Sequence, residues 1–336
     1  MTAGEGGTGG TAPAARDAAA VEARSLTVSL WANLFMAVTG ILAAWLSHSD
    51  AVLIDGLYSA VNFAAAIVAR RVGASVARRP DRSRPFGYDA DEALYVTFRS
   101  MVLVGILVFA ALTAATKIFT YLAEGEAPDL VFGPIVVYGA MMVVICLGLA
   151  WLHHRNWVRG GRRSEILRTE ARAALVDGAI SAGTAVALFL VQFLQGTALA
   201  PIVPVADAIV VLILVALIGP QPVRLFLDAL REVAGGSAPD HHVAAADAIA
   251  RRLCGDLGFV LRDLAVLKMG RSFFIVAYAD PQRPVAATEI DTANDRLAAE
   301  YRAAFGNARS EIVVTTSGRH GTIADRPEVE GRGSEG

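Results

Sequence analysis

SDAVLIDGLYSAVN, residues 49–62, decides how the chain is read: an apolar helical stretch that carries Asp50, Asp55, Tyr58, Ser59 and Asn62. A carboxylate among Val, Leu and Ile costs several kcal/mol unless it is paired, protonated or bound to a cation. At 100° per residue, Asp55, Tyr58, Ser59 and Asn62 fall within about 100° on one helical face. A polar stripe at that spacing marks a helix that is buried on one side and has business with an ion. A second stretch repeats the pattern, because AALVDGAISA (173–182) matches AVLIDGLYSA (51–60) in its apolar triplet, its Asp-Gly and its Ser-Ala. There Glu170, Asp177, Ser181 and Thr184 share a face. Two helices that each bring a central carboxylate are how a bundle assembles a cation site at membrane depth.

The solvent of those helices follows from composition. Apolar residues make up 54% of the chain and charged residues 18%, against roughly 45–50% and 25% in soluble domains. Six stretches have the length of about 20 apolar residues that a span needs, at about 26–47, 51–69, 94–119, 131–152, 171–195 and 203–219. Two connections are rich in Arg, RRVGASVARRPDRSRPFGYDADE (70–92) and HHRNWVRGGRRSEILRTEAR (153–172). Opposite them, LAEGEAPDL (122–130) and QGTALAPIVP (195–204) carry no basic residue. The positive-inside asymmetry predicts that the Arg-rich connections and both termini face the cytoplasm. It also accounts for the Arg clusters without nucleic acid, and for His153 and His154 as part of an interfacial basic cluster. A net charge of −2 conceals the asymmetry. Cys146 and Cys254 are too few for a disulfide framework or a thiolate metal cluster.

Outside the spans the character changes. Residues 1–23 are small and polar and read as a disordered lead; residues 318–336 read as a disordered tail. Between them the expected organisation is a transmembrane domain over 24–222 and a soluble domain over 223–317. The latter runs helix (PDHHVAAADAIARRLCGDLG, 239–258), strand (260–269), strand (271–280), helix (288–305), strand (310–316). That is an αββαβ order, a small α+β layer.

These segments resemble, in order, the cation diffusion facilitator family. S-D-A-V-L-I-D-G-L-Y-S-A-V-N resembles its second-helix signature, S-x-A-L-x-A-D-A-x-H-S-x-x-D. RPFGYDADEAL (84–94) resembles P-F-G-H-x-x-x-E, ALVDGAIS (174–181) resembles the fifth-helix H-x-x-x-D-x-x-x-S, and PVADAIVVLILVAL (204–217) resembles the sixth helix. The soluble segment resembles the family's cytoplasmic ferredoxin-like domain, down to the Pro-Asp-His at 239–241.

The resemblance implies a six-helix membrane bundle followed by that domain, in a homodimeric, proton-coupled exporter of a divalent metal cation in the cytoplasmic membrane. It implies no enzyme and no permanently bound cofactor. It places the four-ligand site at Tyr58, Asn62, Ala173 and Asp177, of which only Asp177 keeps the usual ligand. Asp55 and Glu170 add carboxylates to the two stripes. Asp55 also fits a packing role, and Glu170 also fits a complement to a helix dipole. Without imidazole, the donors Asp177, Asp55, Asn62, Tyr58 and Glu170 are all oxygens, which shifts the expected ion from Zn²⁺ toward Mn²⁺ or Fe²⁺, with Co²⁺ also open. Loss of three usual ligands leaves a second reading open, a non-transporting scaffold or dimer partner. Asp50 and His48 are expected in a solvated turn, Asp207 as a plain helix-start acid, and His241 as a surface residue.

Overall fold

The computed structural model describes residues 11–76, 78, 80–85, 87–125, 130–159, 164–194, 197–198, 200–316 and 318. Among them six helical stretches are long and apolar enough to cross a membrane: five are built on α1 (Thr11–Ser47), α2 (Asp50–Val76), α3 (Ala90–Glu124), α4 (Phe132–Arg159) and α5 (Glu165–Val191), and the sixth, Ala200–Ile218, joins a 3-10 segment (Ala200–Val205) to α6 (Ala206–Ile218). A seventh, α7 (Pro220–Val233), follows α6 with only Gly219 between them. It runs through the expected domain boundary at 222/223. Proline in the first helical turn is no obstacle there, since its missing N–H would have no partner anyway. Residues 11–23 of the expected disordered lead are helical and form the N-terminal end of α1; residues 1–10 and 319–336 lie outside the described residues.

The chain divides into two compact units, residues 1–71 with 98–225, and residues 72–97 with 226–336. In the first, small residues set how closely helices approach. A Cβ placed on Gly40 would lie 2.7 Å from Gly56 Cα, and one on Gly139 would lie 2.3 Å from Ala185 Cβ. α1 therefore crosses α2, and α4 crosses α5, at backbone distance. In lipid, where apolar surface gains little by leaving the solvent, such close packing is what holds helices together. α1 and α2 are joined by His48 and Ser49, and His48 takes a left-handed φ of 57°.

The second unit contains α8 (Asp240–Asp256), β1 (Val260–Met269), β2 (Ser272–Asp280), α9 (Ala287–Phe305) and β3 (Ala308–Val314). The sheet order is β1-β2-β3, with β1 and β2 antiparallel and β2 and β3 parallel. This is the expected αββαβ order, a small ferredoxin-like α+β domain. Leu253, Ile275, Leu297 and Tyr301 are its fully buried centre. Tyr301 satisfies its hydroxyl by donating to the Ala246 carbonyl at 3.0 Å. At the β1–β2 turn, Gly270 adopts φ 61° and a Cβ there would lie 2.3 Å from the Asp89 carbonyl. Arg271 beside it pairs with Glu92 at 2.8 Å. The start of α3 thus packs in the same unit as the sheet.

Candidate metal site

α2 enters its first turn through an acid brought from 157 residues away. Asp207, on α6, accepts hydrogen bonds from the Ser49 hydroxyl at 2.6 Å, the Asp50 N–H at 2.8 Å and the Ala51 N–H at 3.3 Å. Ser49 in turn accepts from the Val52 N–H at 3.3 Å. The orphan N–H groups of a helix start are thereby satisfied, and the acid sits where the helix dipole favours it. Asp207 is 3% exposed, so the expectation of a plain helix-start acid on its own helix is corrected: it caps another helix. Asp50 is likewise no free turn residue, because Lys117 of α3 pairs with it at 2.7 Å.

One turn further along, Asp55 points between α4 and α5. Tyr138 donates to its carboxylate at 2.8 Å, and Ser181 donates to both oxygens at 3.2 and 3.3 Å. These hydrogen bonds satisfy the acid's oxygens inside an apolar helix. Tyr138, Met142 and Cys146 recur every four residues on α4, so one stripe of that helix lies along the site. Cys146 is buried against Gly178, where an added Cβ would come within 2.8 Å of it.

A cavity of about 660 Å³ runs between α2, α5 and α6, and Asp55, Tyr58, Asn62 and Asp177 all line it. The two stripes read from the sequence therefore meet in one space. Asp177 is exposed to it, whereas Ser59 and Ser181 are buried. Met142 and Cys146 share the wall with these oxygen donors. Ala173 and Glu170 do not border the cavity. Glu170 is the sixth residue of α5, a helix whose start at Glu165 is capped by the Ser164 hydroxyl accepting from the Leu167 N–H at 3.2 Å. That puts Glu170 beyond the first turn, where the helix dipole has faded. Among the described residues, no group of three or more His, Cys, Asp and Glu is gathered closely enough to hold a metal ion.

One residue at the site carries no mark in the sequence pattern, and one carries a different role from the one expected. Arg99 of α3 donates to the Asn62 carboxamide oxygen at 3.0 Å and stands within electrostatic reach of Tyr58 and Glu170. An arginine inside the third apolar span was the available signal. His153 was assigned to an interfacial basic cluster, yet it is 1% exposed. Its ring nitrogens sit 2.9 Å from the Ser25 hydroxyl and 2.7 Å from the Ser29 hydroxyl, which fastens α4 to α1.

The family model described as the cation efflux transmembrane domain matches residues 26–233. The manganese efflux system protein MneS of Bacillus subtilis (strain 168) is 24% identical over 167 residues, which are 49% of this chain and 55% of that protein. The chain thus spans about half the length of the curated relative it matches.

Proposed function

The chain belongs to the cation efflux family, and on that premise we propose that it carries a divalent metal cation out across the cytoplasmic membrane in exchange for protons. The observation that carries this reading is the pair Asp55 and Asp177, one carboxylate from each of two helices, on the wall of one cavity. Asp177, exposed to that space and, among the described residues, with no hydroxyl pinning it as Asp55 is pinned, is the group that binds the ion and trades it for a proton. Tyr58 and Asn62 supply the neighbouring oxygens. Glu170, away from the cavity wall, acts on the ion's approach and not as a ligand.

An oxygen set of this kind suits a hard cation, and the matching relative is named for manganese efflux; Mn²⁺ is therefore the proposed cargo. Alternating access would open and close the cavity between α2, α5 and α6. The Arg-rich connections would hold both termini in the cytoplasm. A second copy of the chain would dock through the ferredoxin-like domain, where Val313 and Val314 of β3 remain exposed.

Arg99 favours a second reading, a member that has lost transport and serves as a scaffold. Its guanidinium already engages Asn62, and a cation entering there meets a like charge. Mn²⁺-driven proton movement in proteoliposomes separates the two. The expected result is flux in the native protein and none in Asp177→Asn, which keeps the volume and removes the charge. Native-level flux in that variant removes Asp177 from the mechanism, and absence of flux in the native protein leaves the scaffold.

A further inference from the structure

We propose that the cavity walled by Asp55 and Asp177 also binds a lipophilic organic monocation, a ligand of a different class from a metal ion. A metal ion is held by several donors at about 2.0–2.6 Å, whereas an organic cation needs one counter-charge and a broad apolar surface to lie against. The first set is incomplete among the described residues, and the second is present in full. The cavity volume of about 660 Å³ falls within the range of about 300–1,000 Å³ of small-molecule sites, which are mostly apolar with a few placed polar groups. Met36, Ile54, Leu107, Met142 and Leu214, one each from α1, α2, α3, α4 and α6, are buried side chains on its wall. The two methionines are unbranched and polarizable, and such side chains adapt to ligands of varied shape.

The charge is complementary to such a ligand. Asp55 and Asp177 line the cavity, and no Lys, Arg or His is among the described residues that do. Tyr138 and Ser181 already engage Asp55, which leaves Asp177 as the counter-ion. The Tyr58 ring on the same wall is a further partner for a cation. Arg99 engages Asn62 from outside that wall, so the ligand's charge sits toward Asp177 and away from Asn62. Val176, Ile213 and Leu217 also line the cavity, are 57%, 60% and 67% exposed, and belong to candidate membrane spans. Apolar side chains so exposed at membrane depth give a way in from the bilayer, where a lipophilic cation partitions and a hydrated metal ion does not. Binding of the organic cation does not require that Mn²⁺ be the transported ion.

Equilibrium binding of radiolabelled tetraphenylphosphonium to the full chain in detergent tests it, counting only the label that excess unlabelled probe displaces. The native protein is expected to hold displaceable probe. Asp177→Asn should weaken that binding by about tenfold or more, and Asp177→Glu, which keeps the charge, should recover most of it. Gly183 lines the cavity, and a Cβ there meets nothing within 4 Å, so Gly183→Leu fills open space without forcing helices apart. It should abolish binding while the unfolding temperature stays native. Gly73 has equally open surroundings but does not line the cavity, and Gly73→Leu should bind as the native protein does. Label that cannot be displaced, or binding that either Asp177→Asn or Gly183→Leu leaves unchanged, marks partition into the micelle and overturns the proposal. The two ligand classes fail separately. A native protein that binds the probe in this pattern yet moves no Mn²⁺ upholds the organic-cation site and refutes the metal cargo, and Mn²⁺ flux without displaceable probe does the reverse.

Discussion

Replacing Gly40 by Ala should damage both the bundle and the site, because one methyl group meets two things at once. The added Cβ would stand 2.7 Å from Gly56 Cα and 2.8 Å from the Tyr138 hydroxyl. Carbon atoms rest at about 3.5–4.0 Å, so α1 and α2 must part by about 1 Å. Overpacking of this kind costs about 1–3 kcal/mol. The backbone of Gly56 cannot yield as a flexible side chain can, and the Tyr138 hydroxyl is the softer neighbour. If the hydroxyl yields, Asp55 loses a donor now at 2.8 Å, and a hydrogen bond is worth about 0.5–1.5 kcal/mol. Parting of the helices relieves both contacts only where it also carries the methyl clear of the hydroxyl; otherwise the two costs add. Thermal unfolding in detergent should show a lower unfolding temperature than the native protein, and Mn²⁺ flux in proteoliposomes should fall with it. Gly73→Ala is the control, since nothing lies within 4 Å of a Cβ there. A Gly40→Ala protein as stable and as active as the Gly73→Ala protein would refute the close crossing and its link to Asp55.

Removing the charge at Arg99 should strengthen cation binding: Arg99→Asn is expected to tighten the apparent Mn²⁺ affinity by about tenfold, as expected for loss of a nearby like charge, in a competition assay where Arg99→Lys behaves as native. Asp207→Ala should leave the Ser49 hydroxyl and two N–H groups of α2 without their acceptor and cost about 1–3 kcal/mol; an unchanged unfolding temperature would show that water replaces it. In the ferredoxin-like domain, the Arg262 guanidinium at 2.6 Å and the Gln282 N–H at 2.9 Å hold the Asp280 carboxyl below the usual carboxylate range. A depressed folded pKa contributes stability that is present above about pH 4 and is lost as pH falls through the folded value. Hydrogen exchange in β2 of the full chain should accelerate over that acid range, and Arg262→Gln should flatten the dependence.

The six spans, the αββαβ order and the two carboxylate stripes were legible in the sequence because each rests on a local property. Length and apolarity define a span, and a period of 3.6 residues places Asp55 with Tyr58 and Asn62, or Asp177 with Ser181, whatever the neighbours do. Which faces meet is a different matter, since it depends on how each helix is rotated against the others. Nothing in the local pattern says that Tyr138 and Ser181 converge on Asp55, that Asp207 caps α2 in place of its own helix, or that Arg99 reaches Asn62. For that reason Asp207 and His153 were read by their positions along the chain and mistaken for surface groups. Glu170 shared a stripe with Asp177 by angle, but the cavity has finite length, and two turns carry it past the wall. Tertiary packing settled these points through close contacts such as Gly40 against Gly56 and Gly139 against Ala185. Such contacts depend on side chains that are absent, and an absent side chain leaves no periodic trace until a second helix is laid against it.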